Sequence, residues 1–170
     1  MDPKYTPAYL LRAYAWQVLK ANLSWDEANY GGVIPIVPVS EEPELTQYDK
    51  PFIVYGYVDD PTVTDAYFRR RGSMTFVIYS TNFGEIATAM NVLNETFGRE
   101  DDSARDVNAF TSTIPQFRGI RFGNINVGFA EGAAPEETEG GRQSALLNIR
   151  YDYFVDYAVK QFNAKTGQWA

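Results

Sequence analysis

From Ser144 to Ala158 the chain reads SALLNIRYDYFVDYA, and its odd positions Ala145, Leu147, Ile149, Tyr151, Tyr153, Val155 and Tyr157 are all apolar or aromatic. Successive side chains leave a pleated backbone on opposite faces, so this alternation predicts a half-buried β-strand. Asn148, Arg150, Asp152 and Asp156 then fall on the wetter face. At roughly 3.4 Å per residue such a strand runs to about 45 Å, where about five or six residues are usual. A small domain rarely needs so long a ribbon, so part of the odd face is expected to pack under a helix and the rest to serve a neighbouring subunit.

The partners of that strand are sought along the chain. Thr6 and Pro7 have the character of an N-cap and a first helical residue, and Leu11, Tyr14, Ala15, Val18 and Leu19 recur at helical spacing, with an end expected near Asn22 to Trp25. GGVIPIVPVSEEPEL follows, with prolines at 35, 38 and 43 that cannot donate to an interior ladder, so residues 31–50 read as an extended arm or edge segment. PFIVYGYV (51–58) and AYFRRRGSMTFVIYS (66–80) are strand-like and flank the loop DDPTVTD as a hairpin. The period changes at Asn82, where Phe83, Ile86, Ala87, Met90, Leu93 and Phe97 fit one helical face and Gly98 offers a stop. The odd face of the long strand is expected beneath Phe83, Ile86, Met90 and Leu93.

GREDDSARD reads as a charged connection, and FRGIRFGNINVGFAEG as the hairpin partner of the long strand, with Gly119, Gly123 and Gly128 marking bulges or close backbone approaches. Between the two strands lies AEGAAPEETEGGR, an acidic hairpin loop at about 130–142. The fold class expected is α+β, a single domain over 1–170 with a mainly antiparallel sheet, long hairpins and two principal α-helices packed on one face.

Absences narrow the chemistry. The chain has no histidine and no cysteine, which removes Ser-His-Asp and Cys-His catalysis, disulfides and the usual zinc sites. Neither a GxxxxGK[ST] loop nor a GxGxxG after a strand is present. The best carboxylate clusters, Asp59, Asp60 and Asp65 and then Glu100, Asp101 and Asp102, match no calcium-loop spacing and read as solvated loops. No enzyme activity, cofactor or metal is expected. With 15 Lys plus Arg against 22 Asp plus Glu, the net charge of -7 argues against a surface that coats nucleic acid. No signal peptide or membrane-spanning run is read.

Two features point to interaction. A strand sends Arg69 and Arg71 to one face and Arg70 to the other. The expected partners are carboxylates of the same hairpin, Asp59, Asp60 or Asp65, or a neighbouring subunit, ahead of DNA. Tyr151, Tyr153 and Tyr157 carry a ring and a hydrogen-bonding tip suited to subunit interfaces. A monomeric carbohydrate- or ligand-binding module using exposed aromatics is the alternative, and a hydrolase built on Asp and Glu alone is a third reading.

The order of elements resembles a family. A first helix, a proline-rich arm ending in PELTQYDKPFIVYGY, a strand MTFVIYS running into the helix NFGEIATAMNVL, and a final long hairpin are similar to the tail terminator or tail-completion proteins of tailed bacteriophages, over roughly residues 7–160. That resemblance implies a ring, expected to be a homohexamer, at the head-proximal end of the tail tube. The ring would end tube growth, join tail to head and let double-stranded DNA pass without sequence-specific binding. Its implied partners are the tail tube protein, a head-tail connector or stopper protein and a sheath protein, in the virion neck after assembly in the host cytoplasm. Another head-tail joining or tube protein remains an alternative. Glu136, Glu137 and Glu139 of the acidic loop become candidates for a DNA-proximal surface, because carboxylates repel phosphate.

Overall fold

The computed structural model describes residues 6–23, 25–42, 49–60, 69–114, 119–134, 142–155, 162–163 and 168–169. In chain order they form helix α1 (Pro7–Leu23), strands β1 (Ile36–Pro38), β2 (Phe52–Asp60) and β3 (Arg69–Ser80), helices α2 (Phe83–Phe97) and α3 (Asp101–Ser112), and strands β4 (Ile120–Ala134) and β5 (Gln143–Val155). Strands β6 (Phe162–Asn163) and β7 (Gln168–Trp169) pair with each other in a separate two-stranded ladder. The main sheet has the order β1-β2-β3-β5-β4, with β1 parallel to β2 and every other pair antiparallel. This is an α+β fold.

The long strand finds its partners inside its own chain. β5 pairs with β3 from Ser80↔Gln143 to Arg69↔Phe154, and with β4 on its other side. β4 is as long as β5 needs, and its register shifts at Gly123 and Gly128. Both are bulges where the partner strand's side chains lie: a Cβ on Gly123 would fall 2.9 Å from the Phe154 ring, and one on Gly128 2.8 Å from Arg150 Nε. β4 also extends to Ala134, so the acidic loop starts later than 130; residues 135–141 lie outside the described set, as do 156–158 of the expected strand.

The helices cover one face of this sheet. Thr6 Oγ1 accepts from Tyr9 N (3.3 Å) at the start of α1, and Asn82 Oδ1 accepts from Gly84 N (2.8 Å) at the start of α2. Leu10, Leu11, Ala15 and Leu19 of α1 and Ile86, Ala89, Leu93 and Phe97 of α2 are buried against Met74, Phe76 and Ile78 of β3 and Ala145, Leu147 and Ile149 of β5 in one core cluster. Tyr14 joins the three helices, its ring 6.1 Å from Phe97 and 5.3 Å from Phe110. The expected cover by α2 is right at Ile86 and Leu93, while Met90 is half-buried and Phe83 faces solvent at 57% exposure.

Helix α3 corrects the reading of GREDDSARD as a connection. Asp101 and Asp102 in its first turn complement the positive end of the helix dipole, and Ser103, Ala104, Val107 and Thr111 form its buried stripe. The turn before it places Glu100 at φ 54°, the sole non-glycine with positive φ among the described residues, whereas Gly98 has φ -91°. Gly98 is needed for space instead, since a Cβ there would lie 2.5 Å from Asn94 O.

Each sheet edge is capped over part of its length. β1, the edge piece of the arm, ends in Pro38, and Arg12 Nε donates to Ile36 O (2.6 Å). On β4, Asn108 Nδ2 donates to Phe122 O (2.8 Å) while Asn108 Oδ1 accepts from Phe122 N (2.9 Å), so one amide side chain stands in for a strand. Glu100 O accepts from Ile125 N (3.4 Å) further along.

Candidate interaction surface

The face of the sheet turned away from the helices follows from register. Residues paired across antiparallel strands share a face, so Arg71, Ser73, Thr75 and Tyr79 of β3 stand with Asp152, Arg150, Asn148 and Ser144 of β5. Asn124 and Asn126 of β4 join opposite Asp152 and Arg150, Arg121 joins opposite Phe154, and Phe52, Val54 and Val58 of β2 join on the far side. One end of this open face is apolar: Val37, Phe52 and Val54 are buried with Tyr79 packed on them, and Arg142 lies over the Phe52 ring at 5.4 Å. The other end is polar. A groove of about 390 Å³ runs there between Val58, Arg71, Ser73, Asn126, Arg150 and Asp152.

The arginine run divides as expected, Arg69 and Arg71 on the open face and Arg70 on the helix side, and Arg69 has a partner from another strand. Arg69 pairs with Asp152 of β5. Asp59 instead accepts both of its contacts from the Tyr153 hydroxyl, at 2.8 and 2.9 Å. Antiparallel pairing explains these contacts: Arg69 stands opposite Phe154, two residues from Asp152 on the same face, whereas Asp59 is paired with Gly72 and Asp60 with Arg71. Asp65 lies outside the described residues.

Tyr151 and Tyr153, expected at an interface, are each only 3% exposed and sit in the core of their own chain. Tyr151 stacks edge-on to Phe122 (5.8 Å) and fills the space above Gly72, where a Cβ would lie 2.6 Å from its ring. Burial pushes the Tyr151 hydroxyl well above its ordinary pKa, with Asp59 adding to the effect. Burial and then Asp59 push Tyr153 up to about 12, against a lowering by Arg70. The alternation that suggested a surplus of tyrosine was met by a helix layer and a β4 strand long enough to cover it. Tyr157, Glu136, Glu137 and Glu139 lie outside the described residues.

Several contributors to this surface had weak signals in the sequence. Arg150 and Asp152 were visible as the even positions of SALLNIRYDYFVDYA, yet nothing local marks Asp152 as the Arg69 partner 83 residues away. Arg121, Phe129 and Phe154 required the register of β4 against β5.

Carboxylates concentrate elsewhere. Glu95, Glu100, Asp101 and Asp102 are exposed at the α2–α3 corner, where Arg105 Nη1 reaches Asp102 Oδ1 (3.3 Å) and Arg99 Nη2 reaches Asp106 Oδ2 (2.7 Å). At the other end of the helix layer, Lys20 Nζ and Trp16 Nε1 both donate to Glu27, at 2.8 and 3.0 Å, holding its carboxyl at about 2. No group of three or more His, Cys, Asp or Glu placed to hold a metal ion occurs among the described residues, and none of their helices is long and apolar enough to cross a membrane. Neither a protein-family model nor a curated protein sequence matches the chain.

Proposed function

We propose that the protein is a structural subunit of the neck of tailed bacteriophages. In this reading copies form a ring, hexameric by the family resemblance, on the head-proximal end of the tail tube. The ring stops tube growth, presents a surface to the head's connector or stopper protein and leaves a passage for double-stranded DNA. It works by assembly, without a catalytic group or cofactor.

The observation that carries the reading is the order of elements around one mixed sheet: α1, an edge arm, the β2–β3 hairpin, β3 running directly into α2, and the long β4–β5 hairpin. That is the order on which the resemblance rests. The burial of Tyr151 and Tyr153 takes away the tyrosine argument for a ring and, equally, removes these two rings from a sugar-binding surface. What supports assembly in its place is a sheet face that no described helix covers, bearing exposed arginines and aromatics, a composition typical of protein interfaces. Electron microscopy of the purified protein mixed with tail tubes tests the reading: a ring at one tube end supports it, and incorporation along the whole tube points to a tube protein.

A further inference from the structure

We infer that adjacent copies join by seating the acidic α2–α3 corner of one subunit on the open, arginine-bearing sheet face of the next. The inference rests on the ring reading above and supplies its contact.

The two surfaces are opposite in charge and lie on different sides of one chain. Arg71, Arg121 and Arg150 are exposed on the open face, and none of them makes an ion pair among the described residues. The corner presents Glu95, Glu100, Asp101 and Asp102, all exposed; Arg105 pairs with Asp102 and Arg99 with Asp106, which leaves Glu95, Glu100 and Asp101 without an ion pair among the described residues. Three exposed arginines outnumber the one exposed carboxylate, Glu131, that register places among them, and two different complementary patches on one subunit make a head-to-tail contact, the kind that closes into a ring.

The open face suits a protein better than a nucleic acid. Among the arginines stand Val58, Phe129 and Phe154, exposed by 69, 46 and 38%. Arginine with aromatic and aliphatic side chains is the composition of protein interfaces, whereas a phosphate backbone is met chiefly by cations. Asp152, 8% exposed, lines the groove with its carboxylate held by Arg69, so it leaves the positive character of Arg71 and Arg150 beside it to a partner.

Sedimentation velocity over a wide concentration series, with and without tail tubes, tests the contact in three samples whose folding is checked by circular dichroism. Wild type is expected to associate, and the more weakly as salt rises. R71E/R150E and D101R/D102R are each expected to weaken association at least about tenfold. An equimolar mixture of the two is expected to assemble again, because each variant's altered patch is complementary to a patch on the other. The neutral variant R71Q/R150Q should lie between wild type and R71E/R150E, which separates lost attraction from misfolding. Wild-type rings that both reversals leave intact would overturn this contact while the ring reading stands. A wild type that stays monomeric at every concentration and on tubes would overturn both. Variants that assemble normally but lose retention of double-stranded DNA would assign the face to nucleic acid and overturn the inference.

Discussion

Ile149 and Arg150 are neighbours in sequence and opposites in circumstance. Ile149 is fully buried beneath the helices, and Arg150, on the other side of the same strand, stands in solvent beside the groove. The helix-covered face is a continuous apolar layer from Ala145 to Tyr153, whereas the open face passes from a small apolar cluster at Phe52 to a row of Arg, Asn and Ser. The covered face holds the core, and the open face is the one on which the proposed contact is placed. The comparison teaches that the length of β5 is used within the subunit, so the case for assembly must rest on the uncovered face rather than on surplus strand.

The sharpest way to break this comparison is to truncate one residue on each face. Leu147→Ala, in the buried layer, should cost about 3 kcal/mol in urea unfolding, from lost transfer energy and a residual cavity. Val58→Ala, on the open face, should change stability by less than about 0.5 kcal/mol. Equal costs would mean that the open face is packed in the isolated subunit.

Alkaline titration probes the tyrosines of the covered face. An unfolded tyrosine ionises near 10 and Tyr153 at about 12, so the unfolded chain loses this proton first. The stability from the neutral buried hydroxyl is therefore whole below pH 10 and declines as pH rises toward 12, by up to about 2 kcal/mol. Unfolding curves followed across that window should steepen in their pH dependence for wild type and flatten for Tyr153→Phe.

A smaller effect belongs to the edge where the covered face meets solvent. Asn108→Ala removes both bonds to Phe122 and should cost about 1 to 2 kcal/mol, with faster amide exchange at Phe122 than at Tyr151 in the sheet interior. Unchanged exchange would mean that the backbone of β4 is protected by other contacts.

A modest effect is also expected within the open face. A double-mutant cycle of Arg69→Gln and Asp152→Asn should give a coupling near 1 kcal/mol, modest because the Arg69 side chain is 40% exposed. A coupling of several kcal/mol would place this pair in the stabilising core and not on a surface available for binding.

Much of the fold was legible because its signals are local. Thr6-Pro7 and Asn82 mark helix starts, and the alternation of β5 and the glycines of β4 mark pairing and bulges. Helix α3 was missed because EDDSARD looks like a solvated charge run; its sign was the spacing of Ala104, Val107 and Thr111 behind an acidic first turn. The interaction surface was less legible. Arg69 and Arg71 were visible, but which tyrosines are covered depends on the length of β4 and on the α2–α3 corner, and Asp152 meets Arg69 only once two distant strands are in register. Such information resides in the packing of elements far apart in the chain.

Negative-stain imaging of the protein with tail tubes addresses the central claim most directly. A closed ring seated at one end of each tube is expected; tubes without rings beside monomeric protein, or protein distributed along their length, would rule the neck ring out.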